Sequence, residues 1–397
     1  MVLTPHEFSS RFWTVIAATF LGFLGIGAVM PGLAPHVRHD LGGSDRTVGF
    51  VIGIFSLVAL ASRFVSGPLA DRKGRKITFL LGLGCCSIAG LAYLLPLGIG
   101  SAYAGRILQG FGEACLYTGA ATWVVELGGL QRSGQSLGYL SGGIWGGISA
   151  GPVVGHWLGS FSNAAIFQCV SALGALVLLT FVEEHYRPED HHRSPNWKPE
   201  GFWHAGLSVG FVNVHYPVVA GFLILHLASY GNSGPAAFSA YAAVILTSRL
   251  FLGGLPDRLP PRALFFGGLG CMATGLVLLA MGPSPTVAVF AAGLLGFGFS
   301  FPWSCVATTI LRKTAPGDRG SVIGGLSAFY DAFVGGGSFA AGFLSHRFGY
   351  PSAFVMAAGC LIFSALIANA LFVDRSDEPI PHGLMEGKNK HGLQVEN

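Results

Sequence analysis

Charge is what this chain has least of. Asp, Glu, Lys and Arg together make up 11% of its 397 residues, against about 25% in soluble domains. So sparse a set cannot cover a water-facing surface, which excludes an ordinary soluble fold. Cysteine is also scarce. The seven (Cys85, Cys86, Cys115, Cys169, Cys271, Cys305, Cys360) are scattered through apolar runs. None is paired at metal-ligand spacing, so neither a metal site nor a disulfide framework is expected, and they read as small buried hydrophobes. There is no HExxH, no Walker A sequence and no GxGxxG. No cofactor is therefore expected, and ATP-driven work within this chain is excluded. Gly206-x-Ser208-x-Gly210 has the spelling of a nucleophile elbow. It opens an apolar helix with no strand before it, so an enzyme is not expected. The net charge of +4 is too modest to imply nucleic acid.

What is present is hydrophobicity. Apolar residues make up 51% of the chain, and mean hydropathy is +0.58. Glycine accounts for 60 residues, about twice the average usage of ~7%, as suits helices packed closely in a bilayer. A span needs about 20 apolar residues. Twelve such runs occur, at roughly 12–35, 46–66, 76–97, 101–125, 135–157, 163–183, 204–229, 235–254, 263–282, 285–310, 320–343 and 351–373. The first exceeds the 7–15 residues of a signal-peptide core and reads as a retained span. The expected fold is an all-α membrane protein, with bundles at 1–183 and 204–373, a polar linker at 184–203 and a polar, flexible tail at 374–397.

Lys and Arg set the orientation. An even number of spans puts both termini on one side. With Arg63 and Arg249 counted as flanking charges, 19 of the 23 Lys and Arg fall there, while Arg38, Arg46 and Arg347 fall opposite and Arg106 inside a span. The positive-inside rule makes the rich side cytoplasmic. His191-His192, in the linker, could suggest a metal, but no further ligand is fixed nearby and a solvated polar segment is the plainer reading.

The halves repeat at a constant offset of 186. Ser62-Arg63-x3-Gly67-x-Leu69-x-Asp71-Arg72 returns as Ser248-Arg249-x3-Gly253-x-Leu255-x-Asp257-Arg258. Gly110-Phe111-Gly112 returns as Gly296-Phe297-Gly298, and Gly138 as Gly324. Such repeats mark transporters that bind substrate at the repeat interface near the midplane. A receptor, the remote alternative, needs no such symmetry.

On these residues the chain resembles the major facilitator superfamily over essentially its full length. Gly67 to Lys76 is similar to that family's loop signature between spans two and three, and Arg106-x2-Gln109-Gly110 to its span-four signature. Gly138-x8-Gly147-x3-Gly151-Pro152-x2-Gly155 is similar to the span-five signature of proton-driven antiporters, although His156 stands where that pattern ends in glycine. Residues 105–123 and 319–354 resemble a bacterial branch proposed to export sugars or metal-chelating opines. The resemblance implies twelve helices in two pseudo-symmetric six-helix bundles in a bacterial inner membrane. It also implies a small-molecule substrate, a proton as coupling ion and a default monomer. Export by proton antiport is the leading expectation, and proton-coupled uptake is the alternative.

Ionisable residues inside spans are functional candidates by default. Arg106 and Glu113 are seven apart, so they share a helix face with Gln109 and Tyr117. That face should point at a cavity, since lipid would have to desolvate both charges. Glu113 is either a proton carrier or a static partner of Arg106, although two turns put about 10 Å of rise between them. Asp331 is a second protonation site, a ligand for a cationic substrate, or a buried acid bonded to neighbouring helices. Tyr117, Trp145, Asn213, His215, Tyr216, Tyr241 and Trp303 are candidates for the cavity wall, or for packing. His215 and His226 are either on one cavity or satisfied structurally. Gly147, Gly151, Pro152 and Gly155 form either a hinge in span five or a close-packing face.

The charged segment is expected to act as a latch built from Gly67, Asp71, Arg72, Gly74 and Arg75. Arg75 is placed to pair with Glu126. By resemblance, Asp71 docks on the start of span eleven near Gly320. The second copy, with Asp257 and Arg258, is followed by Leu259-Pro260-Pro261 where the first has Lys73-Gly74-Arg75. It should latch more weakly, or else both segments only set topology.

Overall fold

The computed structural model describes residues 8–129, 132–184, 198–231, 234–252, 255, 259–314 and 318–373. The linker histidines, Asp257, Arg258, most of 184–203 and the tail lie outside them.

Helices account for the fold, and no strand occurs among the described residues. In a bilayer each backbone N–H and C=O must be satisfied within its own segment, which leaves helices or closed barrels. The helices are α1 (Ser10–Pro35), α2 (Asp45–Lys73), α3 (Arg75–Ala92), α4 (Ile99–Gly128), α5 (Ser133–Trp157), α6 (Phe161–Thr180), α7 (Phe202–Asn213), α8 (His215–Ala228) and α9 (Gly234–Leu252). They continue with α10 (Pro261–Ala280), α11 (Pro285–Phe299), α12 (Pro302–Arg312), α13 (Arg319–Phe348) and α14 (Pro351–Val373). Joined across two breaks, α7/α8 and α11/α12, they make the twelve expected rods.

Both breaks fall where proline removes a donor. Pro217 leaves the Asn213 carbonyl without its helical amide, and Pro302 does the same to Gly298. Pro152 behaves differently, because α5 continues through it. The carbonyl it frees, that of Ile148, faces Gly27 of α1, where a methyl group would lie 2.9 Å from the oxygen. Gly147 and Gly151 form the same α1–α5 seam, and a Cβ on Gly151 would meet the Gly27 Cα at 2.6 Å. Gly155 lies against Ala28 of α1 on that seam.

Eight of the twelve rods are apolar and long enough to cross a membrane on composition alone. The other four, α4, α5, α9 and α13, carry Arg106 and Glu113, the glycine seam, Arg249, and Asp331. Their lower hydropathy comes from the groups they present to the protein interior.

The segment at 67–76 is not a loop. Gly67, Pro68, Asp71 and Arg72 lie in the last turns of α2, and Gly74 alone separates α2 from α3. Gly74 has φ +106°, a conformation that a residue with a Cβ rarely adopts. The new N-terminus of α3 is capped by Glu184, whose oxygens accept from the amides of Arg75 (2.7 Å) and Lys76 (3.1 Å). A carboxylate there meets both unpaired amides and the positive end of the helix dipole. Lys76 Nζ donates to the carbonyls of Thr180 and Val182, and Arg75 pairs with Glu126. The start of α3 is thereby tied to the ends of α4 and α6. Asp71 and Arg72 are exposed.

The two halves meet at the end of the bundle remote from this segment. There α2 and α13 touch backbone to backbone, because Gly49 and Gly53 face Gly335 and Gly342. Ser338 Oγ donates to the Gly49 carbonyl (2.7 Å), and Tyr350 Oη to Asp45 (3.1 Å). Toward the other end the contact is lost. A Cβ on Gly67 of α2, Gly138 or Gly142 of α5, or Gly324 of α13 would meet nothing within 4 Å. The halves touch backbone to backbone at the far end, whereas these four glycines face open space toward the end bearing Gly74.

This shape can be tested by thiol labelling in a background lacking the seven native cysteines. Gly324→Cys is expected to react readily with a water-soluble maleimide and Ser338→Cys to resist it. Equal reactivity would refute the shape.

Candidate functional site

A cavity of about 60 Å³ lies between the halves, with Arg106, Glu113, Tyr216, Tyr330 and Asp331 on its wall. Ligand pockets usually hold roughly 300–1,000 Å³, so an organic solute requires the halves to part further. The apolar wall comes mainly from α1, α2 and α13, including Met30, Ile52 and Phe55.

Arg106 is held on every side. Its Nε and Nη2 donate to the carbonyls of Val51 and Ile52, each at 3.2 Å. Nη1 donates to Gln109 Oε1, and the guanidinium lies 4.2 Å from the Phe55 ring centroid. Gln109, expected on the cavity wall, instead faces into the first bundle. It also accepts from Tyr93 Oη (3.0 Å) and donates to Gln168 Oε1 (2.9 Å), and Gln168 donates to the Cys86 carbonyl. Arg106 is thus a cation built into one half, with its charge spread over carbonyls and an amide chain. Gly110 makes this possible, since a Cβ there would sit 2.5 Å from the Phe55 carbonyl oxygen.

Glu113 shares the cavity with Arg106 but does not pair with it. The carboxylate is 9% exposed, makes no ion pair among the described residues, and its Oε2 has no hydrogen-bond partner.

Asp331 is partnered by Arg63, which the sequence alone presents as a flanking charge. Arg63 lies inside the bundle, with Nε and Nη2 each 2.8 Å from Asp331 Oδ2. The pair joins α2 to α13 across the two halves, and it lies between the glycine contact at Gly53–Gly335 and the gap at Gly67 and Gly324. The Arg63 guanidinium also sits 4.9 Å from the Tyr117 ring centroid. The repeat at Ser62-Arg63 and Ser248-Arg249 carried the missing signal, since charges recurring within spans are not explained by topology.

Arg249 corrects the same count. It is not a flanking charge but packs on Trp145 of the opposite half, 4.2 Å from the ring centroid. Removing both arginines from the count of 19 leaves 17 against three, which keeps the sign of the bias.

The remaining candidates divide. Tyr216 is on the cavity wall. Trp145 packs edge-on against Tyr330 and Phe299. His215 follows the α7/α8 break. Its Nδ1 is 2.7 Å from the Val212 carbonyl and its Nε2 3.0 Å from Tyr241 Oη. The carbonyl requires Nδ1 to be the donor, and Nε2 shares a hydrogen bond with the tyrosine hydroxyl. Both residues are consumed structurally. Asn213 donates to Val209 while its buried Oδ1 has no partner. Trp303 is half-buried against the larger core. His226 does not share a cavity with His215; it bonds the Leu279 carbonyl and packs on Phe354.

Breaking a buried ion pair from one side costs about 3–5 kcal/mol, while replacing both partners by apolar groups is often neutral. Arg63→Ala is therefore expected to lower thermal stability in detergent strongly, and Arg63→Met with Asp331→Leu to recover most of it. Additive losses in that double-mutant cycle would show that the two residues do not interact.

The Major Facilitator Superfamily model matches residues 15–233 and 202–392. An uncharacterised MFS-type transporter of Salmonella typhimurium is 27% identical over 389 residues, covering 93% of this chain and 98% of that protein. One of Burkholderia mallei is 26% identical over 377 residues, covering 90% and 91%. Among solved structures, the nucleoside transporter NupG superposes with a TM-score of 0.70 at 13% identity, covering 92% of this chain and all of that one. The human organic anion transporter MFSD10 does so with a TM-score of 0.65 at 16% identity, covering 90% and 98%. Twelve rods in two repeated halves, an interface lined with buried charge and a family match spanning both halves lead to one conclusion: the chain belongs to the Major Facilitator Superfamily and is a multi-pass membrane transporter.

Proposed function

We propose that the protein is a proton-coupled antiporter that exports a small organic molecule across a bacterial inner membrane. The observation that carries this reading is the pair of buried carboxylates, Glu113 and Asp331, on one cavity between the halves. A carrier needs a group whose protonation changes the balance between two shapes. Glu113 is suited to hold the proton, because it lacks a fixed cation. Asp331 is suited to transmit the change, because it bonds Arg63 across the interface. Arg106 supplies a permanent positive field from the first half.

The Lys and Arg bias supports a cytoplasmic position for the Gly74 end, and on that orientation this shape would be inward-facing. In the outward-facing shape the glycine contact between α2 and α13 opens and the cytoplasmic ends of α2, α5 and α13 close. Gly67, Asp71 and Arg72 lie at the end that would close. Gly74, Arg75 and Glu126 make the end of the first half rigid enough to move as one body. The span-five glycines act as a packed seam that carries α5 with α1. Monomeric function is sufficient for this cycle. Uptake by proton symport would use the same parts. The span-five sequence favours export.

Everted membrane vesicles with an imposed proton gradient, screened against small organic solutes by mass spectrometry, test this reading. Wild type is expected to accumulate substrate. Glu113→Gln should lose gradient-driven accumulation by at least about tenfold while keeping substrate exchange at zero gradient. Unchanged gradient-driven transport in Glu113→Gln would overturn the coupling role. Accumulation only with the gradient reversed would establish symport.

A further inference from the structure

The offset of 186 that relates the halves also relates their buried cations. Arg63 corresponds to Arg249, Asp331 to Trp145, Glu113 to Phe299 and Tyr117 to Trp303. The structure keeps the correspondence. Arg63 of α2 meets Asp331 of α13 across the interface, and Arg249 of α9 meets Trp145 of α5 across the same interface. Around Arg63 the matching positions hold two carboxylates and a tyrosine. Around Arg249 all three are aromatic.

Arg63 uses Nε and Nη2 to bind its carboxylate. At Arg249 these same two nitrogens are buried and have no hydrogen-bond partner among the described residues. The Trp145 and Phe299 centroids lie 4.2 and 5.7 Å from the guanidinium carbon, and these rings supply no carboxylate or carbonyl oxygen to accept from the two nitrogens. The arrangement leaves a fork of donors between aromatic walls, with Tyr330 linking Trp145 to the cavity that holds Glu113 and Asp331. The buried charges are also unbalanced. Arg63, Arg106 and Arg249 stand against Glu113 and Asp331, an excess of one positive charge.

We propose that Arg249 is the substrate-anion site, and that the transported molecule is a small organic monocarboxylate whose body packs on Trp145 and Tyr330. The substrate carboxylate takes the position that Asp331 holds at Arg63. A guanidinium fork suits a carboxylate because two parallel N–H groups match its two oxygens. This inference deepens the transport reading and rests on it. A bound anion and a proton on Glu113 attract one another. Antiport of such a substrate therefore couples through the change of shape and not through direct charge repulsion.

The test uses purified full-length protein in detergent with no gradient, so it is independent of coupling through Glu113. Thermal unfolding is followed with a panel of aromatic and aliphatic monocarboxylates, from acetate and benzoate to indole-3-acetate, each paired with its neutral amide. At least one acid is expected to stabilise the protein and its amide not to. Arg249→Gln should weaken binding by at least about 30-fold, the effect of removing a buried charged partner. Arg249→Lys, which keeps the charge and loses the fork, should fall between. Trp145→Asp places a carboxylate where the pseudo-symmetric Asp331 stands. It should abolish acid binding in variant protein that remains folded. The proposal is overturned if no acid on the panel binds, if amides bind as well as acids, or if Arg249→Gln binds as wild type does. Unchanged gradient-driven transport in Glu113→Gln vesicles, with acid binding retained, would leave this site standing and overturn only the coupling role of Glu113.

Discussion

A charge buried in a bilayer has no water to turn to, and that constraint orders this molecule. Five ionisable groups lie deep inside an otherwise apolar chain: Arg63, Arg106, Glu113, Arg249 and Asp331. None can face lipid cheaply. All five therefore point to the interface between the halves, and the helices that carry them are arranged to allow it. Arg106 is neutralised within one half by carbonyls and Gln109. Arg63 and Asp331 need each other, and they come from different halves. The pair that satisfies the burial constraint is thus also a pair that spans the two halves.

Glycine sets where the halves can touch. Along α2 and α13 it brings backbones together at Gly49 and Gly342, while Gly67 and Gly324 on the same two helices face open space. One pair of helices thus serves as contact at one end and mouth at the other. Within the first half, the α1–α5 seam and the Glu184 cap on α3 make a stiff unit. The two halves meet along α2 and α13, α5 and α9, and α1 and α8.

The duplication supplies geometry, and divergence supplies chemistry. The repeat places Arg63 and Arg249 at equivalent positions. One half then retains acids as partners, while the other has aromatic groups that cover a cation without neutralising it. Symmetry alone would make two equal gates. The replacement of Asp by Trp and of Glu by Phe at matched positions makes one ion pair and one buried donor fork that has no hydrogen-bond partner among the described residues.

Much of this was legible in the chain before folding. Scarce charge, twelve apolar runs and the offset of 186 determine an all-helical membrane protein in two repeated halves, because length and hydropathy are properties of local sequence. The same holds for Arg106 and Glu113 on one face, since helical periodicity alone puts them there. Partners between distant segments were not legible. Arg63 and Arg249 look like flanking charges until α13 and α5 are placed beside them, Gln109 looks like a cavity residue until Gln168 is seen behind it, and Glu184 looks like the start of a linker until it reaches the amides of Arg75 and Lys76. A 268-residue separation between Arg63 and Asp331 leaves no local trace. Only tertiary structure decided which buried charges are paired, which donors are not, and which end of the molecule is shut, because each depends on how two bundles face one another.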